Sequence, residues 1–162
     1  MTIRNATMAD SEAIRAIRNA AIRDSTAIWT TEELDTSEGA AWLKPAVDRG
    51  TALVAELDGM VVGFAVVHTV SPYSGYRRTV ENSVYLSDAA RGHGLGTALL
   101  SGVVEKSREI GDRTMISLIE ANNAASIGMN LKSGFHRAGF IPRAGEKFGQ
   151  VFDLVIMCQE LN

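Results

Sequence analysis

Cysteine, proline, histidine and aromatic residues are all scarce in this chain. Its 162 residues include one Cys, three Pro and three His, and only 6% are aromatic. A single cysteine excludes an intramolecular disulfide and any zinc site built on several cysteines. Cys158 follows an apolar run, where a free cysteine packs as a small hydrophobe, so we expect it in the core. His68, His93 and His136 have no metal-ligand spacing; we expect them on the surface or in loops and predict no metal site.

Long apolar runs and an excess of basic residues are also missing. The apolar stretch 60–67 is far shorter than the ~20 residues that a membrane span needs. Residues 1–30 carry charges throughout, without the apolar region of a secretory signal. A net charge of −3 and a pI near 5.6 argue against a nucleic-acid-binding face. With 46% hydrophobic residues, we expect one cytoplasmic domain over 1–162 with no membrane or nucleic-acid partner.

Hydrophobic periodicity predicts elements in the order β-αα-βββ-α-β-α-ββ. Thr7 and Asp10 resemble a capping box before the first helix, and Asp58-Gly59 is a hairpin signal. Pro45 is expected to kink or shorten the second helix. The pattern indicates a mixed sheet with helices on both faces, hence an α/β or α+β fold. The predicted helices are 8–21, 37–49, 94–110 and 123–133, and the strands are 3–4, 52–56, 61–68, 79–86, 114–119, 135–141 and 150–159, with a polar loop over 143–147.

Three alternate glycines join the predicted strand 79–86 to the helix that follows. Gly92, Gly94 and Gly96 let the backbone approach a ligand with no Cβ in the way. The start of a helix presents unpaired N–H groups and the positive end of its dipole, which suits an anion. Arg91 and His93 add donors at the rim. The segment predicts a site for a phosphate-bearing ligand, and a tight turn without a ligand is the simpler alternative.

A dinucleotide fingerprint is one interpretation of this loop, because Glu120 follows the next predicted strand. That fingerprint would make the chain a nicotinamide-dependent oxidoreductase. Two details oppose it. Thr97 stands where the fingerprint requires its third glycine, and Ser87–Arg91 separate the strand from the first glycine.

Several segments resemble one family of enzymes. Arg91-Gly-His-Gly-Leu-Gly96 resembles the pyrophosphate loop of the GNAT superfamily of acyl-CoA N-acyltransferases, and 123–135 resembles its second signature. Segments 26–29, 75–85 and 147–153 are similar to the phosphinothricin and methionine sulfoximine N-acetyltransferase branch. The resemblance covers nearly the whole chain. It implies the GNAT fold, with a mixed, mostly antiparallel sheet of about seven strands, acetyl-CoA as co-substrate, and a homodimer.

The resemblance also implies where acetyl-CoA binds, namely between splayed strands at 79–86 and 114–119. Asn123 would hydrogen-bond the pantetheine arm, although an Asn at that place also suits a helix N-cap. Both roles can coexist. The residues implied on the cofactor side are Val84, Tyr85 and Leu86 through their backbone, Arg91, Gly92, His93, Gly94, Leu95, Gly96 and Thr97 around the pyrophosphate, and Asn123 and Lys132.

Glu81 is the candidate general base. Alternation along the strand puts it on one face with Ser83 and Tyr85, and an acid in a β-rich run is costly unless it is solvated or paired. Its position therefore suggests a cleft, and a salt bridge to a neighbouring arginine is the alternative. In the resembled branch the matching Glu deprotonates the substrate amine, through water. Asn82 interrupts the other, apolar face, which is compatible with a β-bulge.

Residues for the acceptor are suggested by the resemblance and by charge. Arg77 and Arg78 carry guanidinium groups that suit carboxylate, phosphinate or sulfoximine oxygens, with solvated loop charges as the alternative. The residues expected to enclose the acceptor side chain, or otherwise to pack in the core or an interface, are Tyr73, Tyr76, Ile28 and Trp29.

Asn130 is a departure from the resembled pattern. Many superfamily members have a Tyr at this position, and the branch often has a His, as acid for the departing thiolate; Asn cannot deliver a proton. Two functions follow. The first is acetyl-CoA-dependent N-acetylation of the α-amino group of a small amino acid or analogue, and the second is a CoA-binding module with little or no turnover.

Overall fold

The computed structural model describes residues 1–162 and contains seven strands and four helices. Short 3₁₀ turns precede the first helix and lie on either side of the fourth strand. The strands are β1 (Thr2–Asn5), β2 (Ala52–Leu57), β3 (Met60–Thr69), β4 (Thr79–Leu86), β5 (Thr114–Glu120), β6 (His136–Lys147) and β7 (Gln150–Glu160); the helices are α1 (Ser11–Asp24), α2 (Thr36–Arg49), α3 (Leu95–Glu109) and α4 (Ala124–Lys132).

The strands form one sheet in the order β1-β2-β3-β4-β5-β7-β6. Every neighbouring pair is antiparallel except β4 and β5, which are parallel. That parallel pairing is short, because it joins only 79–81 to 114–116. Beyond it, β4 stays paired with β3 as far as Leu86, and β5 stays paired with β7 as far as Glu120. The sheet therefore divides into two halves at its centre.

Two hydrophobic clusters hold the helices on opposite faces of this sheet. The larger cluster joins α3 and α4 to the sheet through residues such as Leu99 and Val80. The smaller one joins α1 and α2 to the other face around Phe64. Burying a large apolar side chain of this kind contributes about 1.5–3 kcal/mol. Side chains alternate along β4, so that Val80 faces the first cluster and Tyr85 packs on the second.

The predicted order of elements and the mixed sheet are confirmed. The first helix begins three residues later than predicted, after the 3₁₀ turn in which Thr7 N donates to Asp10 Oδ2 at 2.8 Å. Pro45 lies inside a continuous α2 and does not shorten it. Cys158 is half-buried on β7, so its assignment to the core was wrong.

The predicted loop over 143–147 was also wrong, because β6 continues to Lys147. The turn is made instead by Phe148 and Gly149, both with positive φ (54° and 70°), as in the tight turns that match strand twist. The polar residues suggested a loop, but they lie on a strand whose pairing with β7 is irregular between Ile141 and Gly145. Arg143 takes a φ of 53° at this irregularity. No helix of the structure is both long enough and apolar enough to cross a membrane.

Candidate active site

A cavity of about 1230 Å³ opens where β4 and β5 part. Both strands line it, and so do α1, α2, α4, the segment 25–29 and the loop at 91–96, here called the glycine loop. Such a cleft inside a sheet exposes strand backbone that has lost its neighbour, so a ligand can take up those hydrogen bonds. Val84, Tyr85 and Leu86 line the cavity on the part of β4 that no longer pairs with β5, in the region where the family resemblance implies the cofactor.

Three buried polar side chains bridge the mouth of the split. Asn82 Nδ2 donates to Ile116 O at 3.0 Å and to Ser117 Oγ at 2.6 Å. Ser117 Oγ in turn donates to Asn130 Oδ1 at 2.7 Å, and Asn130 Nδ2 donates to Ser126 O at 3.0 Å. The register between β3 and β4 is continuous through Asn82, so the predicted β-bulge was wrong. Its amide instead ties β4 to β5 where the backbone pairing ends.

Glu81 is the last residue of β4 that pairs with β5, and it lies at the cavity wall. Its side chain is half-buried, makes no hydrogen bond and has no cationic partner within ion-pair distance. The alternative of a salt bridge to Arg77 or Arg78 is therefore not observed. Burial raises the pKa of Glu81 above its ordinary value. An unpaired carboxylate facing a cavity is free to accept a proton from a bound ligand.

His68 and Tyr85 flank Glu81 on the same side of the sheet. His68 lies directly opposite Glu81 on β3 and lines the cavity, so its predicted place on the surface was wrong; His93 and His136 are exposed. Burial and the charges of two arginines lower the pKa of His68, which keeps it neutral at pH 7. Burial raises the pKa of Tyr85 to about 12, so its phenol stays protonated.

The glycine loop presents its backbone to the same cavity. Gly92 and Gly94 have φ of 81° and 74°, a conformation that other residues adopt only at a cost. The first hydrogen bond at this end of α3 runs from Ala98 N to Gly94 O at 3.1 Å, which leaves the N–H groups of 95–97 without a carbonyl. A Cβ on Gly96 would lie 3.0 Å from Met129 Sδ. These features fit a pyrophosphate held by backbone amides.

Some of the other predicted cofactor residues line the cavity and others do not. Asn123 lines the cavity and also caps α4, since its Oδ1 accepts from Ser126 N at 3.1 Å. Both of its predicted roles are therefore compatible with its position. Arg91 lines the cavity and pairs with Asp88 at 3.1 Å. The remaining predicted residues do not line it: Leu95 is buried in the core, Thr97 is half-buried, and His93, Gly94 and Lys132 are exposed.

The segment 25–29 forms the wall on the side of α1, and Ile28 and Trp29 line the cavity as predicted. Lys147 holds this wall in place. It is only 3% exposed, and its ammonium donates to the carbonyls of Ile22, Ser25 (2.6 Å) and Ile28 (2.7 Å). Sequence reasoning missed this role, because a lysine in a polar stretch suggests solvent and its partners lie more than 100 positions away.

Trp29 is fixed by the β6–β7 hairpin. Its ring stacks on Phe152 with centroids 6.0 Å apart, and its Nε1 donates to Thr26 O at 3.0 Å. The ring also covers Gly145, where a Cβ would lie 2.0 Å from it. The hairpin thus positions Ile28 and Trp29 of the cavity wall, although it lies more than 100 residues after them in the sequence.

The four other residues predicted for the acceptor are not brought to this cavity. Arg78 donates to Gly111 O, and Arg77 and Arg78 line a second cavity of about 180 Å³. Tyr73 and Tyr76 are 75% and 51% exposed. Their contact with an acceptor stays a prediction. No group of three or more His, Cys, Asp or Glu side chains in the structure is arranged to hold a metal ion.

Comparisons with known proteins agree with this geometry. The model of the acetyltransferase (GNAT) family matches residues 14–135. The chain is 40% identical over 163 residues to the L-methionine sulfoximine/L-methionine sulfone acetyltransferase of Pseudomonas aeruginosa, covering 99% of this chain and 95% of that protein. It is 36% identical to a phosphinothricin N-acetyltransferase of Alcaligenes faecalis, covering 94% and 79%. A Salmonella typhimurium protein solved with its cofactor acetyl-CoA superposes with a TM-score of 0.96 at 39% identity, covering 100% of this chain and 94% of that one.

Proposed function

The chain belongs to the acetyltransferase (GNAT) family and is an acetyl-CoA-dependent N-acetyltransferase, and we propose that it acetylates the α-amino group of a small amino acid or analogue. Methionine sulfone, methionine sulfoximine and phosphinothricin are the acceptors that the names of its relatives suggest. The observation that carries the proposal is the unpaired Glu81 carboxylate, which faces the cavity beside the open edge of β4.

The residues of the split sheet fit acetyl-CoA. The open N–H groups at the start of α3 would hold its pyrophosphate, and the unpaired backbone of 84–86 would align its pantetheine arm. When bound, acetyl-CoA supplies an acetyl group that is activated as a thioester. Asn123, at the other edge of the split, would add a side-chain hydrogen bond to the arm.

Glu81 makes the acceptor nucleophilic. An α-amine is protonated near pH 7, and the ammonium cannot attack a carbonyl carbon until it loses a proton. The Glu81 carboxylate takes that proton, either directly or through one water, and its unpaired state leaves both oxygens available. Asn130 supplies no proton to the departing thiolate, because a neutral amide is not an acid; its amide instead bonds Ser117 Oγ and Ser126 O. A thiol with an ordinary pKa of roughly 8.5 leaves without strong acid assistance, so this absence is compatible with turnover.

An amine panel tests the proposal directly. Purified protein is incubated with acetyl-CoA and each of L-methionine sulfone, L-methionine sulfoximine and phosphinothricin, and both the free thiol and the acetylated product are measured. We expect thiol release matched by product with at least one of these acceptors. Normal binding of acetyl-CoA by calorimetry without product from any acceptor would support a CoA-binding module instead.

We also propose that residues 1–162 form one acetyltransferase domain and that the enzyme is a cytoplasmic homodimer. The single domain is supported by the family model, which spans 14–135, and by the curated relatives, which cover nearly all of the chain. The homodimer is what the family resemblance implies, and the cytoplasmic location rests on the charges that residues 1–30 carry throughout, unlike a secretory signal. Light scattering coupled to size exclusion measures the mass of the assembly. A monomer at micromolar concentration would contradict the dimer.

A further inference from the structure

Arg18 is a cation inside the cavity that no protein group neutralises. It lies on α1 and lines the cavity, yet its guanidinium donates no hydrogen bond and has no carboxylate within 4.0 Å. Its Nη1 atom is buried without any partner. Arg4, Arg15 and Arg49, by contrast, each pair with a carboxylate. A buried donor without a partner is costly, so a ligand that accepts its hydrogen bond would be bound more tightly at this place.

The guanidinium is nevertheless held in one place. Its Cζ lies 4.8 Å from the centroid of the Trp42 ring, within the range of a cation–π contact. Trp42 is itself fixed by Phe64 and His68, whose rings lie 6.0 and 5.4 Å from its own. Burial lowers the pKa of Arg18, but an arginine remains charged at any physiological pH. The cavity therefore contains a positioned, permanent positive charge.

Arg18 lies on the same side of the sheet as Glu81. Its charge acts on both neighbours of Glu81, because it lowers the pKa of His68 and opposes the rise in the pKa of Tyr85. Glu81 and Arg18 line the same cavity and do not form an ion pair with each other, so each can contact a ligand. The only other permanent cation lining the cavity, Arg91, belongs to the glycine loop and pairs with Asp88.

We propose that Arg18 binds the α-carboxylate of the acceptor and so selects free α-amino acids over amines that lack this group. The inference rests on the proposed function and assigns a specificity residue within the same site. In an α-amino acid the amine and the carboxylate are attached to the same carbon. A base and a fixed guanidinium that line one cavity without pairing with each other match that pair of groups. A guanidinium can bind both carboxylate oxygens at once, which also fixes the direction of the amine.

The test compares L-methionine sulfone with its α-carboxamide, which keeps the amine and the side chain but loses the charge. For the parent protein we expect kcat/KM to favour the acid by about 100-fold or more, because a site built for a charged group rejects an analogue without it. In Arg18→Gln the preference should fall to within about threefold, mostly through a higher KM for the acid. Arg18→Lys should recover part of the preference, since it restores the charge without the planar fork.

Arg23→Gln is the matched control, because Arg23 lies on the same helix but is exposed and pairs with Glu33 at 2.9 Å. It should leave the preference unchanged. The Kd for acetyl-CoA should be the same in parent and Arg18 variants. An Arg18→Gln enzyme that keeps the parental preference, or one that instead loses affinity for acetyl-CoA, would overturn the inference. If the parent does not acetylate methionine sulfone, the same comparison is made with whichever acceptor of the amine panel it does acetylate. Absence of product from all three acceptors would contradict the proposed function itself.

Discussion

Replacing Glu81 by Gln removes the proposed base and almost nothing else. The two side chains have nearly the same shape, and Glu81 makes no hydrogen bond or ion pair whose loss would disturb the cavity. General-base catalysis contributes about 10²–10⁴-fold to a rate. We therefore expect kcat for methionine sulfone to fall by about that factor, which corresponds to roughly 3–5 kcal/mol in the activation barrier.

The pH dependence of the same variant distinguishes loss of a base from general damage. Burial raises the pKa of Glu81 above its ordinary value of 4.5. The pH at which the parental kcat/KM falls to half on the acid side should therefore also lie above 4.5. Glu81→Gln should lack that fall. Burial makes the ionised carboxylate less stable in the native state than in the unfolded chain, and Gln carries no charge. The variant should therefore have a larger free energy of unfolding than the parent at pH 7. The difference should shrink as the pH falls and Glu81 becomes protonated.

Thiol release from acetyl-CoA measures the rate, calorimetry measures the Kd for acetyl-CoA, and thermal unfolding at pH 5 and pH 7 measures stability. Glu120→Gln serves as the control, because it removes another carboxylate that lines the cavity but already accepts a hydrogen bond from Asn122 N at 2.9 Å. It should retain most of the activity. A Glu81→Gln enzyme with the parental rate would remove Glu81 from the mechanism. A fall in acetyl-CoA affinity equal to the fall in rate would assign it to binding.

Three further substitutions test the parts that shape the cavity. Lys147→Met leaves three carbonyls without their donor and should lower the free energy of unfolding by about 3 kcal/mol in a denaturant titration. The KM for the acceptor should also rise. An unchanged unfolding midpoint would refute the role of Lys147 in holding the segment 25–29. Ser117→Ala leaves Asn130 Oδ1 unpaired in a buried site and should cost about 1–3 kcal/mol by the same measurement, whereas a neutral result would show that the bridge is dispensable. Gly94→Ala places a Cβ at a φ of 74° and should cost about 1–2 kcal/mol and weaken acetyl-CoA binding, which calorimetry would detect; parental affinity would argue against this loop as the pyrophosphate site.

Features that depend on neighbours in sequence were predictable. The alternation that places Glu81 opposite the apolar face of β4 is a property of a few consecutive residues, and so is the spacing of Gly92, Gly94 and Gly96. The structure brings Glu81, Gly92 and Gly96 to one cavity, and the roles assigned to them from the pattern and the family resemblance stay predictions. The order of the elements was predictable for the same reason, because each helix or strand carries its own periodicity.

Features that depend on residues distant in sequence were not predictable. His68 is at the cavity only because β3 pairs with β4 in the register that sets it against Glu81. Lys147 reaches the end of α1 only because the β6–β7 hairpin lies beside it in the folded chain. Arg18 has the sequence signature of a solvated residue on the polar side of an amphipathic helix. Only the folded structure shows that its guanidinium lines the cavity and that its Nη1 atom has no hydrogen-bond partner.

The single parallel pair of the sheet explains why Glu81 and the open backbone of β4 lie next to each other. Pairing over three residues fixes the position of Glu81, and its end immediately afterwards releases the backbone of 84–86 to a ligand. Separated strands expose polar backbone, which favours closure of the gap, and the bridge from Asn82 through Ser117 to Asn130 opposes it by filling the gap with satisfied side chains. The Asn130 amide, which cannot act as an acid, has its place in this bridge. At the position where the resembled pattern has an acid, this protein therefore has a bridging side chain, and the proposed mechanism depends on the proton that Glu81 accepts.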